Sequence, residues 1–234
     1  MTPPEGKNLS GRSSIPSRAV LFDFDGTLFD ASEAICQSFN AVLRSIGRQN
    51  WSREQIIPLI GRPLIEMFAM AVPESTPTQW DEWLATYRAT FFPISVSLTR
   101  PLPGLHGCIE ALRQGGFRLA IVTNRTGHGA RHILAGFGLS DSFEVLIGID
   151  EVTRTKPDPE PVHLALARLG VAPEYASLVG DTPEDMQAAV AAGVRAFGVL
   201  TGFTDAVQLK RAGAEAVLSD LTGLVELLQQ RTPG

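Results

Sequence analysis

Four apolar runs in this sequence lead straight into side chains that can do polar chemistry. AVLF (19–22) is followed by Asp23 and then by Phe24-Asp25-Gly26-Thr27. RLAIV (118–122) is followed by Thr123-Asn124, and ASLVG (176–180) by Asp181. FEVLIG (143–148) leads through a short loop to Lys156-Pro157. Taken singly, each is ordinary. An Asp ending a strand often caps the next helix, a Thr is common turn chemistry, and a lone Lys is usually solvated. Taken together they are not ordinary, because clustered carboxylates repel unless a cation sits among them. Hard oxygen donors of this kind suit Mg²⁺, which takes a few carboxylates plus water and phosphate oxygens. One carboxylate can attack phosphorus to form an aspartyl-phosphate. A second, two residues on, can give and take the proton at the leaving oxygen. Thr123 and Lys156 would hold and neutralise the phosphoryl oxygens, where positioning and charge do most of the work.

These groups cooperate only if the elements bring them together. The runs, with RAFGVL (195–200) and the weaker AEAVLSD (214–220), are continuous rather than alternating. That is the pattern of parallel strands buried on both faces. Helical patterns lie between them. LHGCIEALRQGG ends in a Gly pair suited to a C-cap, DPEPVHLALARLG opens on Asp-Pro and closes at Gly170, and TPEDMQAAVAAG has the same grammar. Alternation of this sort predicts an α/β domain with a parallel sheet. Ligands in such sheets bind beyond the carboxyl ends of the strands. All of the chemistry-bearing residues fall there.

Residues 31–99 interrupt the alternation with far more chain than the ~30 residues of a whole βαβ unit. The stretch is helical in period and holds all three tryptophans, Trp51, Trp80 and Trp83. Trp80, Trp83, Tyr87 and Phe91 share one helix face, read as core packing. We therefore expect a Rossmann-like α/β core (18–31 and 100–234) with a helical cap domain of its own aromatic core (32–99), behind a mobile tail (1–17). Composition narrows the class further. The chain has 234 residues, 44% hydrophobic and 19% charged, which fits a globular protein with a core of its own. Its net charge of −5 argues against nucleic acid as a partner. No apolar run approaches a membrane span, and the N-terminus lacks the apolar stretch of a signal peptide. Cys36 and Cys108 form no CxxC and read as free thiols, so a cytoplasmic location is expected, as a monomer or homodimer.

In order, DFDGT (23–27), Thr123-Asn124, KPDP (156–159) and GDTPED (180–185) resemble the four motifs of the haloacid dehalogenase superfamily. The resemblance runs from about Ser17 to about Leu228. The insertion after the first strand is similar in position to the helical cap of phosphoglycolate-phosphatase-like members. The resemblance implies that Asp23 is the nucleophile and Asp25 the general acid and base. It implies that Thr123 and Lys156, with Asn124 beside them, bind the phosphoryl group. It implies a Mg²⁺ held by Asp23, Asp181 and the backbone carbonyl of Asp25, and it gives Gly26 the tight turn beside the phosphate.

Residues also set some branches aside. The dehalogenases and phosphonoacetaldehyde hydrolases lack the second Asp of the first motif, and Asp25 is present. β-Phosphoglucomutases carry a cap histidine where this chain has Ile35. The expected function is a Mg²⁺-dependent phosphatase of a small, phosphoglycolate-like metabolite. An inorganic pyrophosphatase or a sugar-phosphate phosphatase is the alternative. A phosphometabolite-binding protein without activity would have no need of both Asp23 and Asp25. Three residues are left open. Asp185 either supports the metal or completes the capping pattern Thr182-Pro183-Glu184-Asp185. Arg62, between Gly61 and Pro63 at a helix entry, either reads a substrate carboxylate or is a surface arginine. Arg125 would add positive charge for an anionic substrate.

Overall fold

The computed structural model describes residues 18–229, so the expected tail at 1–17 lies outside the described residues. From the N-terminus the elements are β1 (Ala19–Phe22), β2 (Phe29–Asp30), α1 (Ser32–Ser45), α2 (Arg53–Ile56), α3 (Leu64–Ala71), α4 (Pro77–Leu98), β3 (Arg100–Pro101), α5 (Leu105–Gln114) and β4 (Arg118–Val122). There follow α6 (Gly127–Gly136), β5 (Val145–Ile147), α7 (Glu160–Leu169), β6 (Ala176–Gly180), α8 (Pro183–Ala192), β7 (Arg195–Val199), α9 (Ala206–Arg211), β8 (Ala216–Leu218) and α10 (Leu224–Gln229). Six strands form one parallel sheet in the order β5-β4-β1-β6-β7-β8. The apolar runs therefore mark the strands of the sheet.

Burial explains the continuous runs. In β1, Val20 and Phe22 face one apolar cluster, whereas Ala19 and Leu21 face the other. Side chains alternate across a strand, so a strand covered on both faces must be apolar at every position. The chain builds outward from β1 in one direction through β4 and β5, then returns to add β6, β7 and β8 on the other side. The order reverses between β1 and β6. At such a switch point the flanking loops diverge and leave a crevice.

Helices α1 to α4 occupy the insertion. The aromatic stripe on α4 forms as expected: Trp83, Tyr87 and Phe91 are buried and Trp80 is half-buried. Phe39 of α1 stacks on Phe68 of α3 at 5.0 Å, and Phe68 meets the edge of Trp83 at 5.7 Å. This aromatic cluster is not separate, however. It is continuous with the sheet's own apolar face through residues such as Phe24 and Phe29. The reason is the neck of the insertion, where Phe29–Asp30 and Arg100–Pro101 pair as a two-stranded antiparallel ribbon. That ribbon brings the insertion's entry and exit side by side, and Phe29 packs on Phe24 at 5.0 Å just below it.

The caps that aim the site loops are chemically explicit. At α8, Thr182 accepts from Asp185 N, and Asp185 Oδ2 accepts from Thr182 N at 3.1 Å, a reciprocal capping box. At α7 the expected Asp158 cap lies one residue earlier than the helix needs. Pro159 is the N-cap residue, and Asp158 Oδ1 accepts from Glu160 N at 2.9 Å. The Glu160 carboxylate then accepts from Thr153 N and Arg154 N, which pins the loop that carries Lys156. Cys36 and Cys108 are both buried and unpaired. Among the described residues, no helix is long and apolar enough to cross a membrane.

Candidate active site

Asp23 leaves β1 at the switch point, held by its own N–H donating to Val179 O of β6 at 2.9 Å. Asp181 leaves β6 next to it, and Thr123 leaves β4 on the other side. Neighbouring parallel strands in register therefore deliver these three residues to one edge. Asp23, Thr123, Lys156, Asp181 and Asp185 are all buried. Each of Asp23, Asp181 and Asp185 places a carboxylate oxygen within 4.8 Å of the others.

The Lys156 ammonium has three donors, and three acceptors meet it. It donates to Asp23 Oδ1 at 2.6 Å, to Asp185 Oδ1 at 2.6 Å and to Val122 O at 2.9 Å. Burial alone would lower the Lys156 pKa, but the charges of Asp185 and Asp23 outweigh it and raise it. Asp185 is thereby saturated. Its other oxygen, Oδ2, takes the Thr182 hydroxyl at 2.6 Å as well as the Thr182 N–H. Both readings offered for Asp185 concern its carboxylate. The structure shows it closing the cap and gripping Lys156.

One ammonium is too little positive charge for this pocket. Burial pushes the Asp23 carboxyl up to about 7; Lys156 opposes this and the charges of Asp185 and Asp25 add to it. Burial, then the charges of Asp23 and Asp185, likewise raise Asp181 well above the usual carboxylate range. Meanwhile Asp23 Oδ2 is buried and has no hydrogen-bond partner among the described residues. An orphaned buried oxygen is costly, and a cation or an electrophile would satisfy it. Asp181 is oriented toward the same space. Thr27 donates to its Oδ1 at 2.8 Å, while the backbone closes on its Oδ2. A Cβ on Gly26 would lie 2.3 Å from Asp181 Oδ2, and Gly26 has a φ of 87°, so only glycine serves there. Hard, buried oxygens with one left unpaired fit a small divalent cation.

Asp25 points elsewhere. Arg125 grips its carboxylate with both arms of the guanidinium, Nε to Oδ2 at 2.9 Å and Nη2 to Oδ1 at 2.7 Å. Planar bidentate pairs of this kind are the strong ones. Burial lowers the Arg125 pKa, but Asp25 more than offsets it. The guanidinium also lies over Phe24 of the core and, at 4.9 Å, over Phe91 of α4. Arg125 was expected to add free positive charge for a substrate; its fork is instead committed to Asp25. Asn124 is similarly committed. Its Oδ1 accepts from Lys156 N, and its Nδ2 donates to Lys156 O and to Gly61 O of the insertion. Its side chain braces two loops. Arg62 stands on the rim of the same cavity, with its side chain 44% exposed and Nη2 3.8 Å from Glu184.

A doubly wound parallel sheet with a carboxylate cluster, an ammonium and an orphaned oxygen at its switch point defines an α/β enzyme core built for anionic, cation-assisted chemistry. Comparison with known proteins gives the family. Residues 20–199 match the family model described as haloacid dehalogenase-like hydrolase. The chain is similar to the pyrophosphatase PpaX of Bacillus velezensis, 32% identical over 209 residues, which cover 89% of this chain and 95% of that protein. It is also similar to the phosphoglycolate phosphatase of Aquifex aeolicus, 30% identical over 211 residues, 90% of this chain and 96% of that one. Among solved structures, a haloacid dehalogenase-like protein from Bacteroides fragilis superposes with a TM-score of 0.84 at 30% identity, over 89% of this chain and 99% of the other. CbbY from Rhodobacter sphaeroides, crystallised with phosphate, superposes with a TM-score of 0.77 at 25% identity, over 89% and 96%. The chain belongs to the haloacid dehalogenase-like hydrolase family.

The Lys156 bonds generate a direct prediction. In Lys156→Met the apolar volume is kept, but Asp23 and Asp185 lose their buried counter-ion. Removing one partner of a buried pair typically destabilises by ~3–5 kcal/mol. Urea unfolding should show a loss in that range. A loss below ~1 kcal/mol, the scale of a surface pair, would mean that the ammonium does not hold the site together.

Proposed function

We propose that this protein is a Mg²⁺-dependent phosphomonoesterase that works through an aspartyl-phosphate on Asp23. The observation that carries the reading is the asymmetry of Asp23. One oxygen is fixed by Lys156 and the other is buried without a partner. That is how a carboxylate is held ready for an electrophile. Similarity to phosphatases and pyrophosphatases at about 30% identity supports the same reaction class. Asp23, Asp181 and the Asp25 carbonyl would hold Mg²⁺. The ion would supply charge neutralisation at the phosphoryl oxygens.

The steps follow from the residues. Thr123 would orient the phosphoryl group at the edge of β4 and β1, and the charge of Lys156, held beside Asp23, would help neutralise it. Asp23 attacks phosphorus, and the bond from phosphorus to the ester oxygen breaks. Asp25, as the acid, protonates that departing oxygen. A water then attacks the phosphorus of the aspartyl-phosphate. Asp25 takes its proton, phosphate leaves, and the Asp23 carboxylate is restored. Arg125, with both arms of its guanidinium on the Asp25 carboxyl group, positions Asp25 for these duties. Residues 32–99 act as a cap on the β2–β3 ribbon and exclude water while the leaving group is held. The two buried free thiols, Cys36 and Cys108, are in keeping with a reducing setting such as the cytoplasm.

The finer expectation of a carboxylate-bearing substrate read by Arg62 has less support. Arg62 stands on the cavity rim, partly in solvent, with Nη2 3.8 Å from Glu184. The geometry favours the esterase reaction over any one anionic substrate, pyrophosphate included.

Two experiments test the reaction. Asp23→Asn keeps the shape and removes the nucleophile. Turnover of a phosphate monoester should fall by more than the ~10²–10⁴-fold of lost acid–base help alone. Exhaustive chelation should abolish wild-type activity and Mg²⁺ should restore it. Activity that survives either treatment contradicts the mechanism. Arg125→Ala leaves Asp25 unheld. The rate should drop at least ~10-fold for alkyl phosphates, which need a proton on the leaving oxygen, and far less for activated aryl phosphates. Equal losses on both would show that Arg125 does not act through Asp25.

A further inference from the structure

The space above Asp23 is a chamber of about 340 Å³. Its floor is the catalytic edge, with Asp23, Asp25 and Thr123 exposed into it. Its walls come largely from the insertion and are mainly apolar, with Arg62 and Arg88 also lining it. Ile35 of α1, Ile65 and Met67 of α3, and Leu84, Tyr87 and Phe91 of α4 line it. A phosphoryl group at Asp23 therefore has its ester oxygen directed into an apolar room.

The chamber's one buried cation is already committed, and the other two lie at exposed positions. Arg125 is locked on Asp25. Arg62 and Arg88 are solvent-exposed residues, and Arg62 leans on Glu184. A second anionic group, such as a carboxylate or another phosphate, would meet aliphatic and aromatic carbon in the chamber's depth. Burying an unpaired charge there is strongly unfavourable. Size points the same way. A cavity of ~150 Å³ holds a benzene, so this one has room for a ring beside the phosphoryl group.

Resting on the phosphomonoesterase reading, we propose that the chamber receives the alcohol part of the substrate, and that this part is an uncharged, ring-sized apolar body. The substrate class is then the phosphate monoester of a hydrophobic or aromatic alcohol. Glycolate and inorganic phosphate, which carry charge where the walls are carbon, are poor occupants. Ile35 contributes directly, as a hydrocarbon wall next to the catalytic edge.

Two measurements test the proposal without depending on each other. The first is binding of non-hydrolysable probes to the Mg²⁺-loaded protein by calorimetry. Benzylphosphonate should bind roughly 10- to 100-fold more tightly than methylphosphonate, the gain expected for burying one ring. Leu84→Asn, a half-buried wall position, should shrink that ratio to about threefold or less while methylphosphonate affinity holds. Leu84→Met should keep the ratio, which guards against misfolding of the polar variant. The second is turnover. Benzyl phosphate should exceed ethyl phosphate, 2-phosphoglycolate and inorganic pyrophosphate in kcat/KM, by about tenfold or more. Equal binding of the two phosphonates would overturn the proposal, as would faster turnover of 2-phosphoglycolate or pyrophosphate. If benzylphosphonate binds preferentially but no ester is hydrolysed, the chamber assignment stands and the esterase reading falls.

Discussion

The buried ammonium of Lys156 is the contact on which the rest of the site depends. Its three donors reach Asp23, Asp185 and the Val122 carbonyl, so a single side chain ties together β1, β4 and α8. The arrangement is electrostatically unfinished. Lys156 supplies one positive charge, and Asp23, Asp181 and Asp185 bring three carboxyl groups into the same pocket. The raised Asp23 and Asp181 and the orphaned Asp23 Oδ2 are three signs of that deficit. A divalent cation would offset that excess of negative charge and make room for an anionic phosphoryl group. The protein thus presents a site that is stable only in part until its ligands arrive, which is how an enzyme keeps its strongest electrostatic interactions for the reacting group.

Everything around Lys156 serves to hold that geometry. The parallel sheet sets Asp23 and Asp181 on adjacent strands at the switch point. Asn124 clamps both backbone groups of Lys156 and reaches across to Gly61 of the insertion. Arg125 makes a second link between layers, with its fork on Asp25 and its face on Phe91. The insertion is therefore in contact with the site through the Asn124 brace beside the lysine and through Arg125, the partner of Asp25.

Much of this was legible in the sequence because it is periodic or local. Continuous apolar runs marked all six strands of the sheet, and the residues directly after three of them, Asp23, Thr123 and Asp181, named the chemistry. The Thr182-Pro183 cap and the α4 aromatic stripe were readable for the same reason. The ribbon of β2 and β3 was not, since two-residue strands have no period to detect. The Asp158 cap fell one residue off because Asp-Pro can open either the helix or the turn before it. The Arg125–Asp25 pair joins residues 100 apart, and nothing local distinguishes a guanidinium awaiting substrate from one already paired. Asn124 was read as a ligand for the same reason. The insertion's aromatic core was expected to stand alone. Its continuity with the sheet depends on Phe24 and Phe29, which belong to the core side of the neck. The apolar chamber is likewise a property of three helices at once, visible only when Ile35 of α1, Met67 of α3 and Leu84 and Phe91 of α4 line one cavity.

The central claim is that Asp23 carries the phosphoryl group between the two half-reactions. The most direct measurement is to acid-quench the protein during turnover of a phosphate monoester with Mg²⁺ and map the modified peptide by mass spectrometry. The account predicts phosphate on Asp23, trapped during steady turnover and lost when Mg²⁺ is withheld. Turnover with no phosphoenzyme under any quench, or with the phosphate on a residue other than Asp23, would contradict it.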